Sequence, residues 1–176
     1  MPRPNADTRE EARRIATELF ASRGYEQTSL AEIATRLGIT KAALYYHFRS
    51  KSDLLKSLVD PLLDDIETLA GNLPADPRAT LEAYFDTCHR HRAVLLGLLR
   101  DVAVLNELQI VDRIIAVRTR IDAALTDPTP AGRVRAVVAL GGLQDAVILF
   151  PDDPTLTTTL RTEAVNAALR ALDLPA

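Results

Sequence analysis

The sequence contains no tryptophan and a single cysteine, Cys88. One thiol leaves no disulfide framework within a chain and no multi-cysteine zinc cluster, and it suits a reducing cytoplasm. No G-x-S-x-G, H-E-x-x-H or Walker-type glycine loop occurs, and the carboxylates are scattered over polar faces without an evident acid–base pair. An enzyme is therefore not expected. The longest apolar stretch, Val134 to Phe150, is interrupted by Arg135, Gln144 and Asp145 and is too short and polar to span a bilayer. The opening MPRPNADTREEARR lacks an apolar run, so no secretory signal is expected either. Alternation with period two is never sustained, which argues against strands.

What remains is 176 residues, 47 % hydrophobic and 26 % charged, with a mean hydropathy of +0.01. This is the composition of a soluble globular chain of one or two small domains. The net charge of −3 conceals a division along the sequence. Residues 1–56 carry ten Lys and Arg against seven Asp and Glu, and all three lysines (Lys41, Lys51, Lys56) lie there. The rest carries eleven against seventeen. A small basic head that meets a polyanion, followed by an acidic body that does not, accounts for this split.

Apolar residues return at steps of three and four throughout, so the chain reads as all-α with about nine helices. Ala12, Ile15, Ala16, Leu19 and Phe20 give the helix over Asp7–Arg23 its buried face, and Gly24 stops it. Thr28 or Ser29 caps the next helix, with Glu32 completing the S-x-x-E spacing of a capping box. Leu30, Ile33, Ala34 and Leu37 form its stripe. Gly38 breaks the helix, Ile39 plugs the turn, and Thr40 caps a third helix over Lys41–Phe48, which makes a helix-turn-helix. Ser50 caps a fourth helix with Leu54, Leu55, Leu58 and Leu62 inward, ended by Pro74 and Pro77. Further helices are expected near 77–90, 92–105, 109–125, 130–150 and 154–172, separated by Asp127-Pro128 and Pro151-Asp-Asp-Pro154.

The stretch T-S-L-A-E-I-A-T-R-L-G-I-T-K-A-A-L-Y-Y-H-F-R-S-K-S-D-L-L, Thr28 to Leu55, resembles the DNA-binding signature of the tetracycline-repressor (TetR/AcrR) family of bacterial transcriptional regulators. Glycine often follows the lysine in that family's third helix; Ala42 stands there here. The residue types also have physical reasons to be where they are. A helix entering a major groove about 12 Å wide needs small side chains near its N-terminus, as Thr40, Lys41, Ala42 and Ala43 provide. Tyr45, Tyr46 and His47 bring polar tips suited to phosphates, and Lys51 at the start of the fourth helix is a further phosphate candidate. The DNA-facing set is thus Thr28, Ser29, Thr40, Lys41, Ala42, Tyr45, Tyr46, His47 and Lys51.

The resemblance implies a head over 1–56 and a ligand-binding and dimerisation domain over 57–176. The partners would be double-stranded operator DNA, a small largely apolar ligand and a second copy of the chain, with no cofactor and no membrane. Pocket candidates are Tyr84, Phe85, Cys88, Arg92, Leu96, Leu99, Arg100, Ile110, Ile114 and Val117, with the two arginines available to orient a polar group. For the dimer interface they are Ala139, Gly142, Leu143, Val147, Leu160, Ala164 and Ala168. Gly141 and Gly142 inside a helix lose about 1 kcal/mol each in propensity, which close approach of another backbone would offset. His89 and His91 face different sides of a helix, and Cys88 and His91, which can share a face, lack a third ligand nearby, so no metal site is read from them. The expected function is a one-component repressor released from its operator by its ligand. Alternatives are a helical carrier or enzyme with a vestigial head, and a regulator without an inducer.

Overall fold

The computed structural model describes residues 5–100, 110–150 and 157–175. Among them are nine helices and no strand: α1 (Asn5–Arg23), α2 (Leu30–Leu37), α3 (Lys41–His47), α4 (Lys51–Gly71), α5 (Pro77–Arg90), α6 (Arg92–Arg100), α7 (Val111–Leu125), α8 (Pro130–Leu149) and α9 (Thr157–Ala171). Leu105 and the Pro151–Pro154 turn lie outside the described residues. Two compact units emerge, one of Met1–Leu62 with Ala93–Val111, the other of Leu63–Arg92 with Asp112–Ala176. The sequence suggests one cut, at 56/57; the contacts instead interleave the chain, and α6 groups with the head.

In the first unit the stripes read from the sequence are the core: Ala12, Ile15, Ala16, Leu19 and Phe20 of α1 pack with Leu30, Ile33, Ala34 and Leu37 of α2, Leu44, Phe48, and Leu54, Leu55 and Leu58 of α4. α6 lies against α1 at Gly97, where an added Cβ would stand 3.8 Å from Phe20 and Ala21, an ordinary packing distance. Between α1, α4 and α6 remains a cavity of about 20 Å³, lined by Thr17, Phe20, Tyr25, Leu55, Leu58 and the α6 residues Ala93, Val94, Gly97 and Leu98. Within α4, Pro61 has no N–H to give to the carbonyl of Ser57 one turn earlier. Arg13 of α1 takes its place, with Nη2 donating to Ser57 O at 2.9 Å.

The core of the second unit joins Leu81, Tyr84, Phe85 and Cys88 of α5 to Val117 and Ile121 of α7, Leu140, Leu143 and Val147 of α8, and Val165, Ala168 and Leu169 of α9. Ion pairs brace its rim: Arg161 of α9 reaches Asp86 of α5 at 2.7 Å, and Arg113 of α7 reaches Glu67 of α4 at 2.8 Å. No described helix is long and apolar enough to cross a membrane.

Candidate nucleic-acid interface

The helix-turn-helix is held by caps at each boundary. Ser29 Oγ accepts from the backbone N–H of Glu32, Thr40 Oγ1 from Ala43 at 3.1 Å, and Ser50 Oγ from Asp53 at 2.9 Å. Gly38 adopts φ +73°, the left-handed conformation that ends α2, and the amides of Gly38 and Ile39 bond back to Thr35 and Ala34. Leu44 and Phe48 are fully buried and fix α3 to the unit. The helix therefore turns its other residues outward: Lys41, Ala42, Ala43, Tyr45 and Tyr46 are exposed, Tyr46 at 78 %. Lys41 Nζ stands 5.6 Å from the Tyr45 ring centre, and Tyr46 meets His47 edge-on at 5.5 Å. Two aromatic side chains with phenolic tips and one ammonium thus project from a seven-residue helix whose N-terminal turn is otherwise small. Groove entry and phosphate contact call for such a surface.

Some members of the sequence-read set have other tasks. Thr28 is only 2 % exposed, and its hydroxyl donates to Gly24 O at 2.9 Å, so it shapes the α1–α2 turn rather than presenting a DNA contact. Ser29 and Thr40 stay at the surface, with their oxygens engaged as caps. Lys51 Nζ donates to Tyr25 O at 3.0 Å and sits 4.0 Å from that ring's centre, which stitches α4 to the α1–α2 turn.

The pocket set divides between the two units. Tyr84, Phe85 and Cys88 are packed core, as are Ile110 and Val117. Burial pushes the Tyr84 hydroxyl upward, and it raises the Cys88 thiol to about 11. Tyr84 is within 3.3 Å of Gln144 Oε1. Leu96 is half-buried, whereas Leu99 and Ile114 are exposed; the Arg100 side chain lies outside the described residues. Arg92, expected to orient a ligand, instead donates to Val147 O at 2.7 Å, at the C-terminal end of α8. The cavity of the first unit shares no residue with this set, because α6 turns Val94, Gly97 and Leu98 toward α1 and α4. His89 stacks on Phe85 and His91 bonds Asp65, so they do not converge with Cys88.

Most of the dimer set falls in the protomer's own core. Ala139, Leu143, Val147 and Ala168 are buried in the unit's own core, and Leu160 and Ala164 are half-buried. Only Gly142 is exposed. The outward side of α8 is apolar as well: Val134, Val137 and Val138 are 63 %, 58 % and 57 % exposed, near Gly141 and Gly142, whose added Cβ atoms would meet nothing within 4 Å. A helix apolar all round conceals which stripe is core, and the period of the sequence could not choose between them.

Comparison with known proteins bears on both head and fold. Residues 14–58 match the family described as bacterial regulatory proteins, tetR family. The HTH-type transcriptional repressor KstR2 of Rhodococcus jostii (strain RHA1) is 40 % identical over 80 residues, which covers 43 % of this chain and 38 % of that protein. The chain thus spans less than half the length of the curated relatives it matches. A solved transcriptional regulator (TerR/AcrR family) from Aquifex aeolicus VF5 superposes with a TM-score of 0.69 at 25 % identity, covering 89 % of this chain and 96 % of that one. A SmeT–triclosan complex matches in fold, with a TM-score of 0.61 at 22 % identity over 94 % of this chain and 91 % of the other. The segment 14–58, which holds the helix-turn-helix, is thus matched in sequence by the tetR family of bacterial regulatory proteins, and the fold along most of the chain is that of a solved regulator of the TerR/AcrR family.

Proposed function

We propose that the chain is a cytoplasmic, homodimeric repressor that binds double-stranded operator DNA and lets go when a small, largely apolar molecule binds its body. The observation that carries the DNA-binding part is the division of α3: Leu44 and the adjoining Phe48 are anchored inside, while Lys41, Ala42, Tyr45 and Tyr46 stand outside. Lys41 and Ala42 are the base-reading candidates; Tyr45, Tyr46 and His47 are suited to phosphates, which set register. One such head offers few contacts, and a two-fold pair with recognition helices about 34–36 Å apart reads neighbouring turns on one side of the duplex.

The pairing surface we assign is the outward side of α8, with Val134, Val137, Val138, Gly141 and Gly142. Two helical glycines that nothing in their own protomer requires are consistent with close approach by a partner helix. The likeness to SmeT, a fold seen with triclosan, supports the ligand part. A ligand that prefers heads at the wrong separation would lower operator affinity by population shift.

Selection of duplexes from a random pool by the purified protein tests the reading. Enrichment of an inverted repeat with half-site centres about 10 base pairs, or a multiple, apart is expected. A pool that stays random would leave a helical carrier as the better description. Triclosan is a suitable first probe of the ligand part, read as a loss of operator affinity. An operator affinity that neither triclosan nor a panel of apolar metabolites alters would leave a constitutive DNA-binding protein.

A further inference from the structure

Burial fixes which way each side of α3 points. Leu44 and the adjoining Phe48 are 0 % exposed and hold one side of the helix against its unit. Ala42 and Tyr46 stand two residues to either side of Leu44, about 160° round the helix from it, so they form the ridge that faces straight out. Lys41 and Tyr45 flank that ridge on one side, Ala43 and His47 on the other. The groups around Ala42 are drawn away from it. Thr40 Oγ1 accepts from the Ala43 amide at 3.1 Å as the cap, and Lys41 Nζ stands 5.6 Å from the Tyr45 ring centre, along its own flank. The Tyr46 ring meets His47 edge-on at 5.5 Å, toward the opposite flank. Ala42 itself is exposed, so the outermost group of the first turn is a methyl with no donor or acceptor.

The chemistry of the major groove gives a methyl one good partner. Base edges there show donors and acceptors, and thymine alone adds an apolar group, its C5 methyl. An alkyl group pressed on a donor or acceptor strips water from it without replacing the hydrogen bond. Methyl against methyl instead removes apolar surface from water on both sides. The first residues of a recognition helix are the ones that reach base edges.

We infer that Ala42 is a specificity-determining residue whose target is the 5-methyl group of a thymine in each half-site. The inference rests on the DNA-binding reading above and deepens it, from a helix that enters a groove to the base that one of its side chains requires. An A·T pair in either orientation does not satisfy it, because turning the pair round carries the methyl to the other strand and away from Ala42. The contact is apolar and neutralises no phosphate, so it contributes to discrimination among sequences and not to the salt dependence of binding.

The test uses the full-length protein and its selected operator, with deoxyuridine replacing thymine at one position at a time, symmetrically in the two half-sites. Deoxyuridine pairs as thymine does and lacks only the methyl. Expected is a position at which the unaltered protein loses about three- to fivefold per half-site, the worth of one buried methyl, with an unchanged salt slope. At that position Ala42→Gly should bind the thymine and deoxyuridine operators within about twofold of each other, whereas Lys41→Ala keeps the difference. Glycine lowers helix propensity, so Ala42→Ser decides if Ala42→Gly does not fold. Its hydroxyl bonds to groups that thymine and uracil share, and its preference should fall to within about twofold as well. A scan that is flat at every thymine overturns the inference. So does a position whose cost persists undiminished in the Ala42 variants, which assigns the methyl to another residue. A protein that selects no duplex overturns the DNA-binding reading and this inference with it, a result distinct from a selected operator indifferent to deoxyuridine.

Discussion

Arg13 and Pro61 are 48 positions apart in sequence, yet the structure makes each the reason for the other's chemistry. Pro61 withholds an N–H from Ser57 O, and the Arg13 guanidinium supplies one at 2.9 Å in a part-buried site. Arg13→Met keeps the apolar stem and removes the donor. Leaving a buried carbonyl unpaired costs about 1–3 kcal/mol, and the lower half of that range fits a site that water can partly reach. The other Arg13 contact, to Glu10 at 2.9 Å, joins exposed groups and adds less than about 1 kcal/mol. In a Pro61→Ala background the restored backbone N–H points at Ser57 O and closes the helical bond, so Arg13→Met should then lose only the surface pair. A double-mutant cycle should return a coupling of about 1–2 kcal/mol, well above the roughly 0.3–0.5 kcal/mol scatter of independent sites. Urea unfolding at one fixed protein concentration is the assay, because the proposed pairing would make apparent stability depend on concentration. With a slope of about 2 kcal/mol/M, the coupling corresponds to roughly 0.5–1 M in midpoint. An additive cycle would show that water, not Arg13, serves the carbonyl.

Gly142→Leu fits the lone protomer, where an added Cβ meets nothing within 4 Å, so the variant should fold at least as stably yet sediment as a monomer; a tight dimer would place the interface elsewhere. Asp65 and Glu67 are held below the ordinary carboxylate range, Asp65 chiefly by the hydrogen bond from His91 and then by Arg90, Glu67 by that from Arg113, with burial opposing both. Groups lowered in the folded state stabilise it above their unfolded pKa and cease to as pH falls through the folded value. Asp65→Asn and Glu67→Gln should therefore flatten the acid side of a stability–pH curve by under about 1 kcal/mol each, given their exposure; a curve as steep as the original would deny them that role. Cys88, fully buried with its thiol raised to about 11, should resist a disulfide reagent at mildly alkaline pH and react at once in denaturant; fast reaction in native buffer would mean that the α5 core opens.

The sequence by itself determined the head. Its caps, its left-handed glycine and the stripes of α1 to α4 are local features, where periodicity and turn chemistry act within a few residues of each other, and the structure has them as read. The tertiary structure alone decided which side of each body helix is core and which distant groups its charged side chains meet. Ala139, Leu143 and Val147 are inward and Val134, Val137 and Val138 outward on a helix that carries apolar residues on both sides, so packing against α5 and α9 selects the core side. Arg92 caps α8, Arg13 serves Pro61, and Asp65 collects Arg90 and His91. Each of these joins residues far apart in the chain, and a long charged side chain has no period that tells which distant carbonyl or carboxylate it will meet. The grouping of α6 with α1 and α4 was hidden for the same reason: Val94, Gly97 and Leu98 meet Thr17, Phe20, Leu55 and Leu58, partners far away in the chain that no local period names.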